Sequence, residues 1–443
     1  MRLIQTIKNI LKIEDLRARL LYTLGIILLY RFGKYVTLPG IDPSQLQGLQ
    51  NQTASGLMGL LDMFSGGAFS QASVFALGIM PYISASIVIQ LLGIIFPYYQ
   101  KLQKEGESGR RKMNQHTRYL TVIILILQAP TYLVNLHAQL PDSAFILKGS
   151  FFQISSVIIL TAGTIFVMWL GEKITDKGIG NGISLIIMIG IVARLPASFV
   201  FEAGTRLAGA GGAIGLIVEI LILFVIVLGT IMLVQGTRRV PVQYARRIVG
   251  NKQYGGVRQY IPLKVNAAGV MPIIFAQAIM MLPIIIAGFS TDSSSGFVVT
   301  FSNMYGFWYN LVTAILIIAF TYFYTAITIN PVQMAEDMKK NGGFIPGIKP
   351  GRKTVEFFDT IMSRITLPGS IFLAIIAILP SIAVKAGVTP QFAQFYGGTS
   401  LLILVGVVLD TLQQIESHLL MRHYDGLMKS GRIKGRSGAV TSI

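Results

Sequence analysis

Apolar runs recur along the whole chain, and short polar segments separate them. A helix needs about 20 apolar residues to cross the hydrocarbon core of a bilayer, and nearly all of these runs reach that length. The fifth run is short and requires help from its flanks or from neighbouring helices. The pattern predicts a polytopic helical membrane protein with ten spans, numbered here 1 to 10, at residues 20–38, 73–95, 118–136, 151–170, 183–195, 213–234, 267–288, 308–329, 367–385 and 398–418.

The composition agrees with this interpretation and removes most kinds of catalytic chemistry. Only 13% of the residues are charged, about half the share that soluble domains carry. The absence of cysteine excludes disulfides, thiolate metal sites and cysteine nucleophiles. The sequence contains no HExxH, GxSxG or GxxxxGK(S/T) motif for proteolysis, acyl transfer or nucleotide hydrolysis. We therefore expect neither an enzyme nor a cofactor, and we expect no metal site because metal-ligand spacing is missing among His116, His137, His418 and His423.

Positive charge alternates from one polar segment to the next. Of the 37 lysine and arginine residues, 31 lie in one set of alternate segments, four lie in the intervening loops, and Arg31 and Lys34 fall inside span 1. Cytoplasmic loops of membrane proteins carry the excess of basic residues, so the basic set and both chain termini are predicted to be cytoplasmic. The basic segments are 1–19, 97–118, 171–182, 235–265, 330–366 and 419–443.

Two of these cytoplasmic segments are longer than a topology signal requires. Residues 235–265 interleave arginines with tyrosines, and residues 330–366 mix lysines and arginines with glycine and proline. Basic, protruding loops of this kind suit a large anionic partner, such as ribosomal RNA or an acidic protein surface. The alternative is ordinary positive-inside bias together with attraction to anionic lipid.

Ionisable residues inside the predicted spans are few. Transporters of small solutes usually keep such groups at mid-membrane for protons or substrate. The sequence shows no partner for any of them, which counts against a transporter; they are Arg31, Lys34, Glu219 and Asp410.

Span 2 carries polar residues on the same face as its isoleucines. In ALGIMPYISASIVIQLL (residues 76–92) one stripe covers about 80° of the helix at 100° per residue, and it consists of Ile79, Ile83, Ser86, Ile87 and Gln90. Taken singly, these isoleucines suit lipid or a protein core, and the residues alone leave open what the mixed stripe faces.

Uncharged glutamines lie in three of the predicted spans. Gln90, Gln128 and Gln277 occur in spans 2, 3 and 7. A buried glutamine costs free energy unless it finds a partner or water. The three are therefore either independent helix-packing contacts or parts of one seam that opens.

A short apolar helix is predicted just before span 2. In GLMGLLDMFSGGAFSQ (residues 56–71) the glycines Gly66 and Gly67 end the helical pattern after about two turns, which is too short to cross a membrane. The residues at helical spacing are Leu57, Leu60, Leu61 and Phe64.

Long segments of the chain closely resemble the bacterial SecY family, the channel subunits of the protein-conducting translocon. The resemblance extends from the first span to the last, and it is carried by ALGIMPYISASIVIQLL (76–92), KEGESGRRK (104–112), GEKITDKGIGNGISL (171–185), LKVNAAGVMPIIFA (263–276), INPVQMAEDMKKNGGFIPGIKPG (329–351) and GGTSLLILVGVVLD (397–410). It implies an all-α fold in which spans 1–5 and 6–10 form two pseudo-symmetric halves of an hourglass channel.

The resemblance also divides the chain into functional segments. They are a cytoplasmic segment 1–19, an N-terminal half 20–195 with a plug at 57–70, an outer loop with span 6 at 196–234, a cytoplasmic loop 235–266, spans 7–8 at 267–329, a cytoplasmic loop 330–366, spans 9–10 at 367–418 and a cytoplasmic tail 419–443.

In members of the family a ring of bulky aliphatic side chains forms the waist of the channel. Such a ring closes around a passing chain without binding a particular sequence, and an empty apolar constriction resists wetting. All the positions that match the ring are isoleucine here, namely Ile79, Ile83, Ile183, Ile187, Ile274 and Ile403.

The resemblance assigns a plug and a lateral gate as well. The plug, which would fill the outer funnel, matches the short helix with Leu57, Leu60, Leu61, Phe64, Gly66 and Gly67. A re-entrant loop is the alternative for this segment. The gate would open between spans 2 and 3 on one side and spans 7 and 8 on the other, and its candidate residues are Ile87, Gln90, Gln128 and Gln277.

The resemblance finally implies the partners and the location. The two long basic loops match the docking sites of the SecA ATPase or the ribosome, with Arg246, Arg247, Lys349 and Arg352 as candidate contacts. Lys349 stands where arginine is common in the family. Lysine keeps the positive charge but lacks the planar guanidinium group that forms bidentate hydrogen bonds. SecE and SecG subunits, pre-protein signal sequences and lipids are the other expected partners. The expected function is passage of unfolded pre-proteins across the bacterial plasma membrane and release of apolar segments into lipid.

Overall fold

Helices account for most of the chain in the computed structural model, which describes residues 13–46, 57–147, 149–209, 212–244, 247–249, 252–254, 258–277, 279–280 and 303–429. The helices are α1 (Glu14–Gly33), α2 (Leu57–Phe64), α3 (Met80–Ile95), α4 (Pro97–Lys104), α5 (Glu107–Gln139), α6 (Ser150–Lys177), α7 (Gly182–Val192), α8 (Leu195–Leu207), α9 (Gly212–Gln235), α10 (Phe307–Thr328), α11 (Pro331–Lys340), α12 (Arg352–Lys385), α13 (Pro390–Ala393) and α14 (Gly398–Lys429). Residues 271–277 are also helical, and single 3-10 turns occupy Pro43–Leu46 and Asp142–Ala144.

Among the described residues, seven helices are long and apolar enough to cross a membrane, or eight if the bent pair formed by α3 and α4 counts as one span. They confirm the prediction of a polytopic helical membrane protein. In α1, Arg17, Arg19 and Arg31 fall within every stretch long enough to span, and α1 is not among the seven. The predicted span 7 includes residues 281–288, which lie outside the described residues, so the count of ten stays a prediction.

The second span is shorter than the sequence predicts. Residues 73–79 form turns rather than helix, and α3 begins only at Met80 with a proline in its first turn, where the missing N–H is harmless. At the other end Phe96 is extended because the residue before a proline avoids helical geometry. The chain therefore bends by 102° into α4.

The short fifth span is extended by a second helix. α7 ends at Val192, and after a break of two residues the chain continues as α8. Together they form an apolar stretch of 26 residues, which removes the shortfall in length. The region 194–212, expected as an outer loop, is therefore mostly helical.

A single apolar cluster connects the two halves of the chain. It contains buried residues of α1, α6 and α7 from the N-terminal half together with residues of α13 and α14 from the C-terminal half, and residues of α3 pack against it. α7 packs against both α6 and α14, and α14 also packs against α9. The last helix thus contacts both halves.

The described residues depart from the all-α expectation in the two long basic loops. The strands are β1 (Thr237–Tyr244), β2 (Arg247–Val249), β3 (Lys252–Tyr254), β4 (Arg258–Lys264) and β5 (Gly343–Phe344). β1 pairs antiparallel with β4 on one side and with β5 on the other, in the order β4-β1-β5. The two loops are therefore joined through one sheet.

The alternation of side chains in β1 explains this strand. Val240 and Val242 are buried whereas Arg239 and Pro241 are exposed, the period of two that a half-buried strand requires. The buried valines pack with Met338 and Phe358 of the second loop region.

Candidate functional site

The isoleucines assigned to the ring converge on one apolar cluster. Ile79, Ile187 and Ile403 are buried in it, and Ile83 and Ile183 pack against it. The cluster combines helices from distant parts of the chain, which is the arrangement that a ring requires. Its buried members are aliphatic and aromatic side chains.

Ile274 is the exception among the six. It is half-buried on the helical stretch 271–277 and does not belong to this cluster within the described residues. Its neighbour Ile273 is fully buried in a different cluster, with Leu373 of α12. Its place in the ring stays a prediction.

A close approach between two glycines and one hydrogen bond position α7, which supplies two of the isoleucines assigned to the ring. A Cβ on Gly182 would lie 1.9 Å from the carbonyl oxygen of Gly171 on α6, so the two backbones touch. The backbone N–H of Gly182 also donates to Oγ1 of Thr175 at 2.9 Å. α7 is thereby fixed against α6 at its first turn.

The short helix α2 ends next to the ring. It spans Leu57–Phe64, as its apolar spacing predicts, and Gly66 and Gly67 follow with φ of +66° and +86°. Phe64 is buried in the cluster that holds the ring isoleucines, and α2 packs against α7. The side chains of Leu57, Leu60 and Leu61 lie outside the described part of the structure.

The turn after α2 makes backbone contact with α7. A Cβ on Gly66 would lie 2.9 Å from Cα of Gly190, and one on Gly190 would lie 3.2 Å from Cα of Gly66. Tyr30 donates to the carbonyl oxygen of Ser65 at 3.2 Å, and Tyr132 donates to that of Phe69 at 2.9 Å. Side chains of α1 and α5 therefore hold the turn from two sides.

One of the three span glutamines takes part in a contact between the halves. The hydroxyl of Tyr324 on α10 donates to Oε1 of Gln90 on α3, and Nε2 of Gln90 donates to Oγ of Ser86 at 3.2 Å. The ring of Phe275 lies 6.2 Å from that of Tyr324. Spans 2, 7 and 8 therefore meet at Tyr324, a residue that sequence reasoning missed.

The other gate candidates are placed less directly. Ile87 is buried on α3. Gln128 is exposed on α5, Gln277 is half-buried, and neither hydrogen-bonds to another described residue. The seam hypothesis thus gains support at Gln90 only.

The basic loops present their charges to solvent. Lys349 is exposed, and Arg352 is exposed with Nε 3.5 Å from Oε1 of Glu356. Lys349 and Lys353 line a groove of about 540 Å³ beside Glu356. Arg246 lies outside the described residues; Arg247 belongs to β2, and its side chain is not described.

A buried polar cluster gives Glu219 the partner that the sequence does not show. Arg206 of α8 donates through Nη2 to Oε1 of Glu219 and through Nε to Oε1 of Glu202 at 3.2 Å. Oε2 of Glu202 accepts from the backbone N–H and the hydroxyl of Thr389. The cluster ties α8 to α9 and to the turn before α13.

Comparisons with known proteins agree with this geometry. The family model SecY matches residues 73–412. A protein translocase subunit SecY of Streptomyces scabiei is 44% identical over 434 residues, covering 94% of this chain and 98% of the relative.

Solved structures show the same fold at lower identity. A protein conducting channel matches with a TM-score of 0.58 at 18% identity, covering 90% of this chain and 92% of the other. Sec61 from a canine ribosome-channel complex matches with a TM-score of 0.53 at 17% identity over the same shares. The family match, the identity to the translocase subunit and the arrangement of apolar helices lead to one conclusion: the chain belongs to the SecY family of protein translocase subunits.

Proposed function

We propose that this protein is the pore-forming subunit of a bacterial Sec translocon, a channel rather than an enzyme. Unfolded pre-proteins pass through the isoleucine ring, and apolar segments leave sideways into lipid. One observation carries the proposal: five ring isoleucines from α7, α14 and the start of α3 share a single apolar cluster with Phe64 of α2. In the proposed channel this cluster forms the seal, and its members come from both halves of the chain.

In this proposal α2 is the plug. Its contacts with the ring side of α7 are supplemented by two hydrogen bonds to backbone carbonyls, from Tyr30 and Tyr132. A short segment opens locally at lower cost than a core helix does once the contacts that hold it are broken. It can therefore leave when a chain enters.

The location and partners follow the same proposal. The protein lies in the plasma membrane with both termini in the cytoplasm, where the basic loops meet SecA or the ribosome. Exposed Lys349 and Arg352 at the start of α12 supply positive charge there, which suits ribosomal RNA or an acidic protein face. SecE and SecG complete the channel in the membrane.

Deletion of residues 58–66 tests the plug. We expect the purified channel to conduct almost no ions in planar bilayers. The deletion variant should conduct ions in bursts, because the ring without its plug closes imperfectly. Truncation of residues 435–443, a tail segment of equal length, serves as the control and is expected to stay tight. A folded deletion variant with wild-type conductance would show that α2 does not seal the channel.

Tyr324→Phe tests the gate. Loss of the hydrogen bond to Gln90 removes about 0.5–1.5 kcal/mol from the closed state, so segments of lower hydrophobicity should enter the lipid. The measurement is the fraction inserted for model segments of graded leucine content. Tyr322→Phe, at an exposed position of the same helix, is the control. An unchanged insertion threshold in Tyr324→Phe would remove this contact from the gate.

A further inference from the structure

Asp62 is a fully buried carboxylate in the plug helix α2. Its side chain has an exposed fraction of 0%. Oδ1 accepts a hydrogen bond from the backbone N–H of Ser70 at 2.8 Å, and its carbonyl oxygen accepts one from the N–H of Gly67 at 2.7 Å. These bonds fold the turn after α2 back onto the helix.

The second carboxylate oxygen of Asp62 reaches a different helix. Oδ2 forms an ion pair with Nη2 of Arg194, the residue that directly precedes α8. The Arg194 side chain is 29% exposed, so the pair lies at the edge of the interior. The plug helix is thereby tied to the end of α7, which carries Ile183 in its first turn and Ile187 at its middle.

Two further cations approach the same turn. Nη1 of Arg31 donates to the carbonyl oxygen of Gly66 at 3.3 Å. Nζ of Lys34 lies 2.8 Å from the position that a Cβ on Gly67 would occupy, and Nε of Arg194 lies 3.7 Å from that position. Three cations thus lie around the turn that the carboxylate of Asp62 closes. Neutralising it would leave them repelling one another around the turn.

We propose that the Asp62–Arg194 ion pair is a latch that holds the plug closed and couples its release to movement of α7. The proposal rests on the assignment of α2 as the plug. A shift of α7 that widens the ring carries Arg194 with it and separates the pair. Breaking a buried pair is unfavourable while its members stay desolvated, so the latch keeps the plug seated until α7 moves.

The latch can be measured by cysteine labelling, because the chain contains no cysteine. Ser70→Cys places a thiol at a buried position of the plug turn. Its modification by a membrane-impermeant maleimide, in the full-length protein in proteoliposomes, reports how often the turn opens. Asp62→Asn and Arg194→Gln are each expected to raise the labelling rate at least about tenfold.

The double variant separates a latch from general destabilisation. Two residues that act through one pair give non-additive effects, so Asp62→Asn combined with Arg194→Gln should label no faster than the faster single variant. Asp142→Asn, an exposed acidic residue of another loop on the predicted outer side, is the control and should label as wild type. An unchanged rate in the single variants, or a multiplicative rate in the double variant, would overturn the latch.

Ion conductance of the same variants distinguishes this proposal from the assignment of the plug. Faster, non-additive labelling together with ion leakage supports both the latch and the sealing role of α2. Faster, non-additive labelling without leakage supports the latch and refutes the sealing role of α2. Leakage on deletion of residues 58–66, with unchanged labelling in the Asp62→Asn and Arg194→Gln variants, refutes the latch alone.

Discussion

Gly182→Ala is expected to push α7 away from α6 and to disrupt the ring. The new methyl carbon would start 1.9 Å from the carbonyl oxygen of Gly171 and 2.7 Å from Cβ of Ile174, so the backbones must separate. Overpacking of this kind typically costs about 1–3 kcal/mol. The expected results are a lower thermal unfolding midpoint in detergent and an increased ion conductance, since Ile183 and Ile187 move with α7.

Gly25→Ala is the matched control for this substitution. Gly25 lies inside α1 with nothing within 4 Å of its Cβ position. Alanine is favoured over glycine in a helix interior by about 1 kcal/mol, so this variant should be as stable as wild type or more so. Equal midpoints for Gly182→Ala and Gly25→Ala would contradict the close approach of α6 and α7.

The second large effect is expected from polar groups in the ring. Ile187→Asn combined with Ile403→Asn places two amides in the apolar cluster, where both side chains are now buried. An unpaired buried amide costs about 1–3 kcal/mol, and it recovers that energy by admitting water. An apolar constriction that becomes wet conducts ions.

The ring should be tested without its plug, in the variant that lacks residues 58–66, because the ring is then the remaining seal. The double asparagine variant should convert brief openings into a sustained current in planar bilayers. Ile187→Leu keeps the side-chain volume and the apolar character, and it should leave the current at the level of the deletion alone. Equal currents in the double asparagine variant and in Ile187→Leu would show that these isoleucines are not the seal.

The bounds of the least buried spans were predicted most accurately. Spans 6 and 8, predicted at 213–234 and 308–329, are helical over Gly212–Gln235 and Phe307–Thr328. Hydropathy alone delimits such helices because each apolar run ends where polar or turn residues begin. Span 2 was less accurate, because residues 74–79 are equally apolar but form turns, of which Gly78 approaches Ser65 after α2.

The sheet was missed although its signal is present. Val240 and Val242 alternate with exposed residues. The many arginines in the same segment led to its interpretation as a basic docking loop, without a strand. β5 has only two residues, and its pairing with β1 joins positions about 100 apart along the chain. No local pattern reveals such a partner.

Polar contacts between distant helices could not be predicted at all. Tyr324 lies 234 positions from Gln90, and Arg194 is separated from Asp62 by most of the N-terminal half. Each residue alone has the same local pattern whether it faces lipid, water or a partner. Their pairing depends on which helix faces pack together, and that is decided by the whole bundle.

The pairing of β5 with β1 has a mechanical consequence. The first loop connects α9 to the helical stretch 271–277, and the second connects α10 to α12. Because they share a sheet, we expect a displacement of either loop to move the other loop as well. In the proposed function, a partner bound to one loop would therefore act on the helices that flank both loops.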